Sequence, residues 1–188
     1  MRKALLCICL ICLLSACASK PSPEEHALRL REYYARLENI DMTMKTRADY
    51  GERVYEYKLS CAGSPCAGLL QVLEPDNVAG LRARYEDGST ALVFDSAELY
   101  TGKIDESGLS PLDAVPAALK AWGEGSIREA WYERLIDTDC IVILTDINND
   151  VQLCTWFDKL TMLPVQADIM RDGYTVVSME FENVIINE

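Results

Sequence analysis

Hydrophobic positions change their spacing as this chain advances, and each spacing predicts a different element. Ala4 to Leu14 form an uncharged apolar run behind the cationic start Met1, Arg2 and Lys3. That run is too short for a spanning helix, which needs about 20 residues. The prolines Pro21 and Pro23 stop any helix from running on from it. Beyond them Leu30, Tyr34, Leu37 and, at the far end, Ile40 recur at helical spacing. With Ser22 or the acidic pair Glu24 and Glu25 at its start, the segment predicts one amphipathic helix of about four turns. From Met42 the period falls to two. In "RVYEYKLSC" the residues Tyr55, Tyr57, Leu59 and Cys61 alternate with Glu56, Lys58 and Ser60, the pattern of a half-buried strand. "LRARYE" repeats it with Leu81, Ala83 and Tyr85. A two-residue loop of Asp87 and Gly88 then sets Ala83 opposite Leu92 and Leu81 opposite Phe94, apolar against apolar, so a hairpin is predicted there.

Near the C-terminus, "LPVQADIMRDGYTVVSMEF" offers two loop lengths. A two-residue loop sets Val165 opposite Glu180. A three-residue loop of Arg171, Asp172 and Gly173 pairs Ala167 with Val177, Val165 with Met179 and Leu163 with Phe181, and is the one expected, with Gly173 in the left-handed position. "CIVILTDINNDVQLCTWF" gives another hairpin around Asn148 and Asn149. A second helix is marked by Ser110 as N-cap, Pro111 in the first turn, an apolar run to Trp122, and stopping glycines at Gly123 and Gly125. Pro116 is a candidate early break. The order is one helix, about five strands, a short helix and about four more strands. That is an α+β fold, a long curved antiparallel meander with two or three helices to cover one face. Tyr55, Tyr57, Leu59, Leu163, Val165, Val177, Met179 and Phe181 make that face wide and apolar. If the helices seat fully, the face is core. If they leave a gap, a pocket of several hundred Å³ opens for an acyl chain or another apolar ligand.

The first residues change the picture of where the domain resides. A cationic start, a short apolar core and small residues before a cleavage point describe an export signal. Leu14, Ser15, Ala16 and Cys17 resemble the lipobox of bacterial lipoproteins, which implies acylation of Cys17 and removal of residues 1–16. Residues 17–23 are then the lipidated cysteine and its tether, and 24–188 a single domain. Cys7, Cys9 and Cys12 belong to the removed signal. Loss of Arg2 and Lys3 takes the formal charge from −12 to −14. No cluster of Lys and Arg suited to a phosphate backbone appears, so nucleic acid is excluded as a partner. The same charge disfavours electrostatic binding to anionic headgroups. Attachment rests instead on acyl chains, at about 0.8 kcal/mol per buried CH₂.

Catalytic chemistry finds little to work with. His26 is the only histidine and stands beside the tether, where a solvated helix position explains it better than catalysis or metal binding. No G-x-S-x-G elbow accompanies a serine. Asp146, Asn148 and Asp150 mimic the start of a calcium loop, but Val151 replaces its glycine and Phe157 its bidentate glutamate. Glu180 and Glu182 lie on the strand face opposite Met179 and Phe181 and read as solvated charges. No metal or cofactor is implied, and an enzyme ranks behind any binding role. Cys61 and Cys66 bracket the four residues "AGSP", which would place them opposite one another at a hairpin mouth. A disulfide is expected there over two buried free thiols, in keeping with export. Cys140 and Cys154 form either a second disulfide or two free thiols, since no simple register sets them opposite.

The tail "WFDKLTMLPVQADIMRDGYTVVSMEFENVIIN" and the stretch "EPDNVAGLRARYEDGSTALVFD", with the order of elements, resemble the lipoprotein-localisation carriers of the LolA and LolB type. The resemblance spans most of residues 24–188 and implies a half-open antiparallel barrel covered by helices, holding an acyl chain or a hydrophobic ligand. The chain is also similar in organisation to GerS, a lipidated clostridial germination lipoprotein of this fold, which implies an envelope adaptor that binds a protein such as a cell-wall amidase. No ligand-contact residue carries over from either. The lipid anchor favours an acceptor, adaptor or sensor over a diffusing shuttle. It implies an extracytoplasmic position on the cell membrane. In a host with two membranes the outer one is implied, since Ala18 and Ser19 lack the acidic retention signal.

Overall fold

The computed structural model describes residues 21–86, 88–94, 97–103 and 107–187. Cys17, most of its tether, the signal-like residues and Asp87 lie outside them. Helix α1 (Pro23–Tyr34) starts on a capping box. The Glu25 amide donates to Ser22 Oγ at 3.2 Å and the Ser22 amide donates to Glu25 Oε2 at 3.3 Å. Its buried stripe is Ala27, Leu30 and Tyr34. The helix makes three turns rather than four, because Ile40 already belongs to the first strand and Leu37 to the link between them.

Six strands follow: β1 (Asn39–Asp49), β2 (Val54–Gly63), β3 (Ala67–Glu74), β4 (Arg82–Glu86), β5 (Ser89–Phe94) and β6 (Ala97–Lys103). Helix α2 (Pro111–Glu124) intervenes, and then come β7 (Ser126–Leu135), β8 (Thr138–Asp146), β9 (Val151–Asp158), β10 (Pro164–Arg171) and β11 (Tyr174–Asn187). All eleven form one antiparallel sheet in the order β6-β5-β4-β3-β2-β1-β11-β10-β9-β8-β7. Each half of the chain is thus a meander, and the two join where the first strand pairs with the last, from Asn39 opposite Asn187 to Ala48 opposite Val177. The sheet is an open half-barrel with β6 and β7 at its edges. There are six and five strands where about five and four were expected. The edge strand β7 lacks a clean apolar alternation because most of its side chains meet solvent.

The Ala83–Leu92 pairing stands as expected from the sequence. The C-terminal hairpin corrects the expected register. Asp172 and Gly173 take φ of 53° and 80° in a two-residue turn, with Arg171 opposite Tyr174. A shift between Ile169 and Met170 then brings Ile169 opposite Val177 and Ala167 opposite Met179, so a bulge restores the apolar match that a longer loop was expected to supply. In α2, Pro116 sits inside the helix without ending it. Gly123 is also helical, and its lack of a side chain lets α2 approach the end of α1, since a Cβ there would lie 3.0 Å from Ala35 Cα.

The helices lie on the concave face. α1 packs on α2, β7 and β8, and α2 on β1 and β8. Tyr34, Trp122, Phe157 and Phe181 interlock beneath them with ring centroids 5.2 to 5.7 Å apart. Trp122 Nε1 donates to Thr155 Oγ1 at 2.9 Å, and Tyr34 Oη to the Met162 carbonyl at 3.0 Å. Among the described residues no helix is long and apolar enough to cross a membrane.

Candidate functional site

The expected apolar face divides when its residues are placed. Leu59, Val177 and Met179 are fully buried in the core, and Tyr57 and Phe181 pack against it. Leu163 and Val165 are half-buried outside that cluster, around a register shift at the start of β10. Tyr55 is exposed. Under α1 the space is filled, with a residual void of only about 10 Å³ beside Trp122 and Phe157. This face is therefore mainly core.

Open grooves of similar volume lie between α1 and β7, across β1 and β2, and beside α2. A cleft of about 590 Å³ separates the second half of α2 from loops on both wings of the sheet. Pro116, Ala117, Lys120, Ala121 and Glu124 of α2 line one side. Pro65 and Cys66 from the β2–β3 turn, Tyr85 of β4, Gly88, and Asp146 and Ile147 beyond β8 line the rest. Small residues four apart, Ala117 and Ala121, keep the helix wall low. Tyr85 forms the floor: it is buried, its Oη donates to the Ser64 carbonyl at 2.8 Å, and it lies 3.9 Å from Cys61 Sγ. That ring crosses β3 over Gly68, where a Cβ would stand 2.5 Å from Tyr85 Oη. Further along the same concave face, past the reach of the helices, Leu92 is half-buried while Phe94 and Leu99 are 52% and 65% exposed.

The cysteines correct the expected disulfides. The β2–β3 hairpin closes with Gly63 opposite Gly68, so its loop is Ser64 to Ala67 and not "AGSP". Cys61 consequently faces Leu70 from within the core, and Cys66 is exposed in the turn; both are free thiols. Cys140 stands opposite Asp158 and Cys154 opposite Leu144, and both are free. Burial pushes the Cys61 and Cys154 thiols up to about 12, and raises the Tyr85 hydroxyl and the Cys140 thiol above their ordinary values. These groups stay protonated and neutral, which suits an apolar site and not a nucleophile.

The remaining sequence candidates are dispersed. His26 on α1 lies 6.1 Å from the Tyr132 ring. Glu182 pairs with Lys58 at 2.7 Å and Lys45 at 3.3 Å. Asn148 Oδ1 caps the β8–β9 turn by accepting from the Asp150 and Val151 amides at 3.0 Å, which accounts for the calcium-like spacing. Among the described residues no group of three His, Cys, Asp or Glu side chains converges on a metal position. The cleft itself was missed in the sequence. Its walls come from distant loops, and only the Ala117 and Ala121 spacing was visible as one helix face.

No protein-family model matches the chain, and no curated protein is similar to it in sequence. Its three-dimensional likenesses are clearer. A LolA superfamily protein from Nitrosomonas europaea matches with a TM-score of 0.51 at 11% identity, over 90% of this chain and 95% of that one. A DUF1329 family protein from Desulfovibrio piger gives 0.51 at 12%, over 89% and 94%. An uncharacterised conserved protein from Thermus thermophilus gives 0.55 at 9%, over 87% of both chains. The chain has a LolA-like fold, an open antiparallel half-barrel with helices across its concave face.

Proposed function

We propose that this is a non-catalytic envelope lipoprotein, anchored through Cys17, whose domain binds an acyl chain or a similar hydrophobic ligand in the cleft beside α2. The observation that carries the reading is the open 590 Å³ cleft with a tyrosine floor and proline, alanine and isoleucine walls. Its size falls within the range of small-molecule pockets, and its uncharged floor suits an apolar occupant. Lys120, Glu124 and Asp146 also line it and give the cleft a polar side. Acylation of Cys17 supports residence at a membrane, where such ligands are abundant.

Cys66 supplies the test, because it lines the cleft yet is exposed, so a large side chain there obstructs the site without entering the core. Cys66→Trp is expected to abolish binding of a long-chain fatty acid, followed by native mass spectrometry, while leaving the unfolding midpoint unchanged. Equal fatty-acid binding by both proteins overturns the assignment of the cleft. The anchor has its own check. Metabolic labelling with a fatty acid should mark the wild type and not Cys17→Ala, and equal labelling of both rejects lipidation at Cys17.

A second reading, an adaptor that binds another envelope protein, is favoured by β6, which stands at the edge of the sheet among the described residues. Leu99 and Tyr100 are exposed there beside the unpaired backbone of an edge, a setting that can accept a partner strand.

A further inference from the structure

Two turns at one end of the sheet hold bare aliphatic side chains in solvent. Ile136, at the β7–β8 turn, is 88% exposed, and Leu160, at the β9–β10 turn, is 94% exposed. These are the highest exposures among the large hydrophobic residues described. Single exposed leucines are ordinary. Three observations set this pair apart.

First, the turns are neighbours: β8 pairs with β9, and the Lys159 amide donates to the Asp139 carbonyl at 3.0 Å. Second, the turns are firmly built. Asp158 Oδ1 accepts from the Leu160 and Thr161 amides at 2.7 and 2.9 Å, the Met162 amide donates to the Asp158 carbonyl, and Tyr34 Oη fixes the Met162 carbonyl. Ile136 takes φ of 53°, a conformation that a β-branched residue adopts only under strain. Third, the chain enters the domain beside them. Tyr132 Oη donates to the Pro21 carbonyl at 2.8 Å, and Lys159 Nζ lies 4.0 Å from the Tyr132 ring centroid. Pro21 is four residues from Cys17, a reach of at most about 14 Å when fully extended.

We infer that Ile136 and Leu160 form a membrane footing, two apolar turn tips that enter the lipid interface next to the anchor and fix how the domain stands on the bilayer. The inference rests on lipidation of Cys17, which brings this end of the sheet to the surface. Charge is not the attraction. Glu133, Asp137, Asp139 and Asp158 outnumber Arg134 and Lys159 around the two tips, so charge opposes approach to anionic headgroups, and the contact is apolar and is not weakened by salt. The cleft beside α2 then opens at a defined height and orientation above the lipid.

Full-length lipidated protein in vesicles of phosphatidylethanolamine and phosphatidylglycerol with brominated acyl chains provides the test. Leu160→Trp adds a fluorophore at the proposed footing. Tyr174→Trp adds one at the other end of β10, about 26 Å away along an eight-residue strand. Both sites are exposed, so neither change burdens the fold. The added emission of Leu160→Trp is expected to be largely quenched by bromine, no less at high salt than at low, and that of Tyr174→Trp is not. Vesicle-bound protein in which neither emission is quenched, or both are quenched alike, overturns the footing and leaves the anchor standing. Protein that does not associate with vesicles overturns both.

Discussion

Trp122 links α2 to the sheet through one polar atom in an otherwise apolar cluster. Its Nε1–H bond to Thr155 Oγ1 satisfies a hydroxyl on a residue that is 1% exposed, so removing the donor strands a buried acceptor. Trp122→Phe is expected to lower unfolding stability by about 2 kcal/mol in urea titration, and Thr155→Val in the same background to recover part of that loss. A fully additive double variant would show that the bond contributes nothing. His26 adds a pH dependence. Partial burial, then the nearby Lys159 and Arg29 cations, hold its imidazole below the ordinary 6.5. Between that lowered value and 6.5 the unfolded chain holds a proton that the folded chain does not, so acid favours unfolding. The stability His26 lends is therefore present above 6.5 and is lost as pH falls through 6.5 towards the folded value. His26→Gln is expected to flatten this part of the stability profile between about pH 7.5 and pH 5.5, as followed by thermal unfolding, and an unchanged profile rules the assignment out.

At the scale of elements, the β7–β8 turn carries a cost that the β10–β11 turn avoids. Asp172 and Gly173 are residues suited to positive φ, whereas Ile136 occupies φ of 53° with a branched side chain. Ile136→Gly is expected to raise stability by about 1 kcal/mol in urea unfolding. A loss of stability would show that Ile136 serves the fold after all. The two turns also mark what sequence can reveal. The β4–β5 register was legible because turn residues and facing apolar pairs, Ala83 with Leu92, gave the same answer. The β10–β11 register was not, since a bulge near Ile169 uncouples turn length from side-chain facing, and no residue type announces a bulge. Edge strand β7 escaped period counting for a related reason. One of its sides meets solvent and the other meets α1 only in part, so Ile127, Ala130, Trp131 and Leu135 do not alternate cleanly. The disulfide between Cys61 and Cys66 failed on a two-residue shift in the loop, which the glycine pair Gly63 and Gly68 determined.

For the whole molecule, the unequal cover of the two wings decides where it can open. The β7 to β11 wing and β1 lie under both helices with the aromatic cluster between, whereas Phe94 and Leu99 on the other wing face solvent. Local opening should therefore begin at β5 and β6, whose pairing ends at a sheet edge and whose inner face meets no helix among the described residues. Amide hydrogen exchange is expected to be fastest in Ser89–Phe94 and Ala97–Lys103 and slowest in β1, β8, β9 and β10. A fatty acid in the cleft should slow exchange in the β2–β3 turn, in Tyr85 and its neighbours on β4, and in the second half of α2, because it bridges these elements. It should leave the β7–β8 and β9–β10 turns unchanged in detergent-free solution, since they do not line the cleft. The site was hidden from the sequence on this same scale, because Pro65, Tyr85, Ala117 and Ile147 meet only after the two meanders curl towards one another. Uniform exchange across both wings, or protection that spreads evenly over the sheet when the fatty acid is added, would defeat the view that the half-barrel keeps one packed wing and one open wing that a ligand closes.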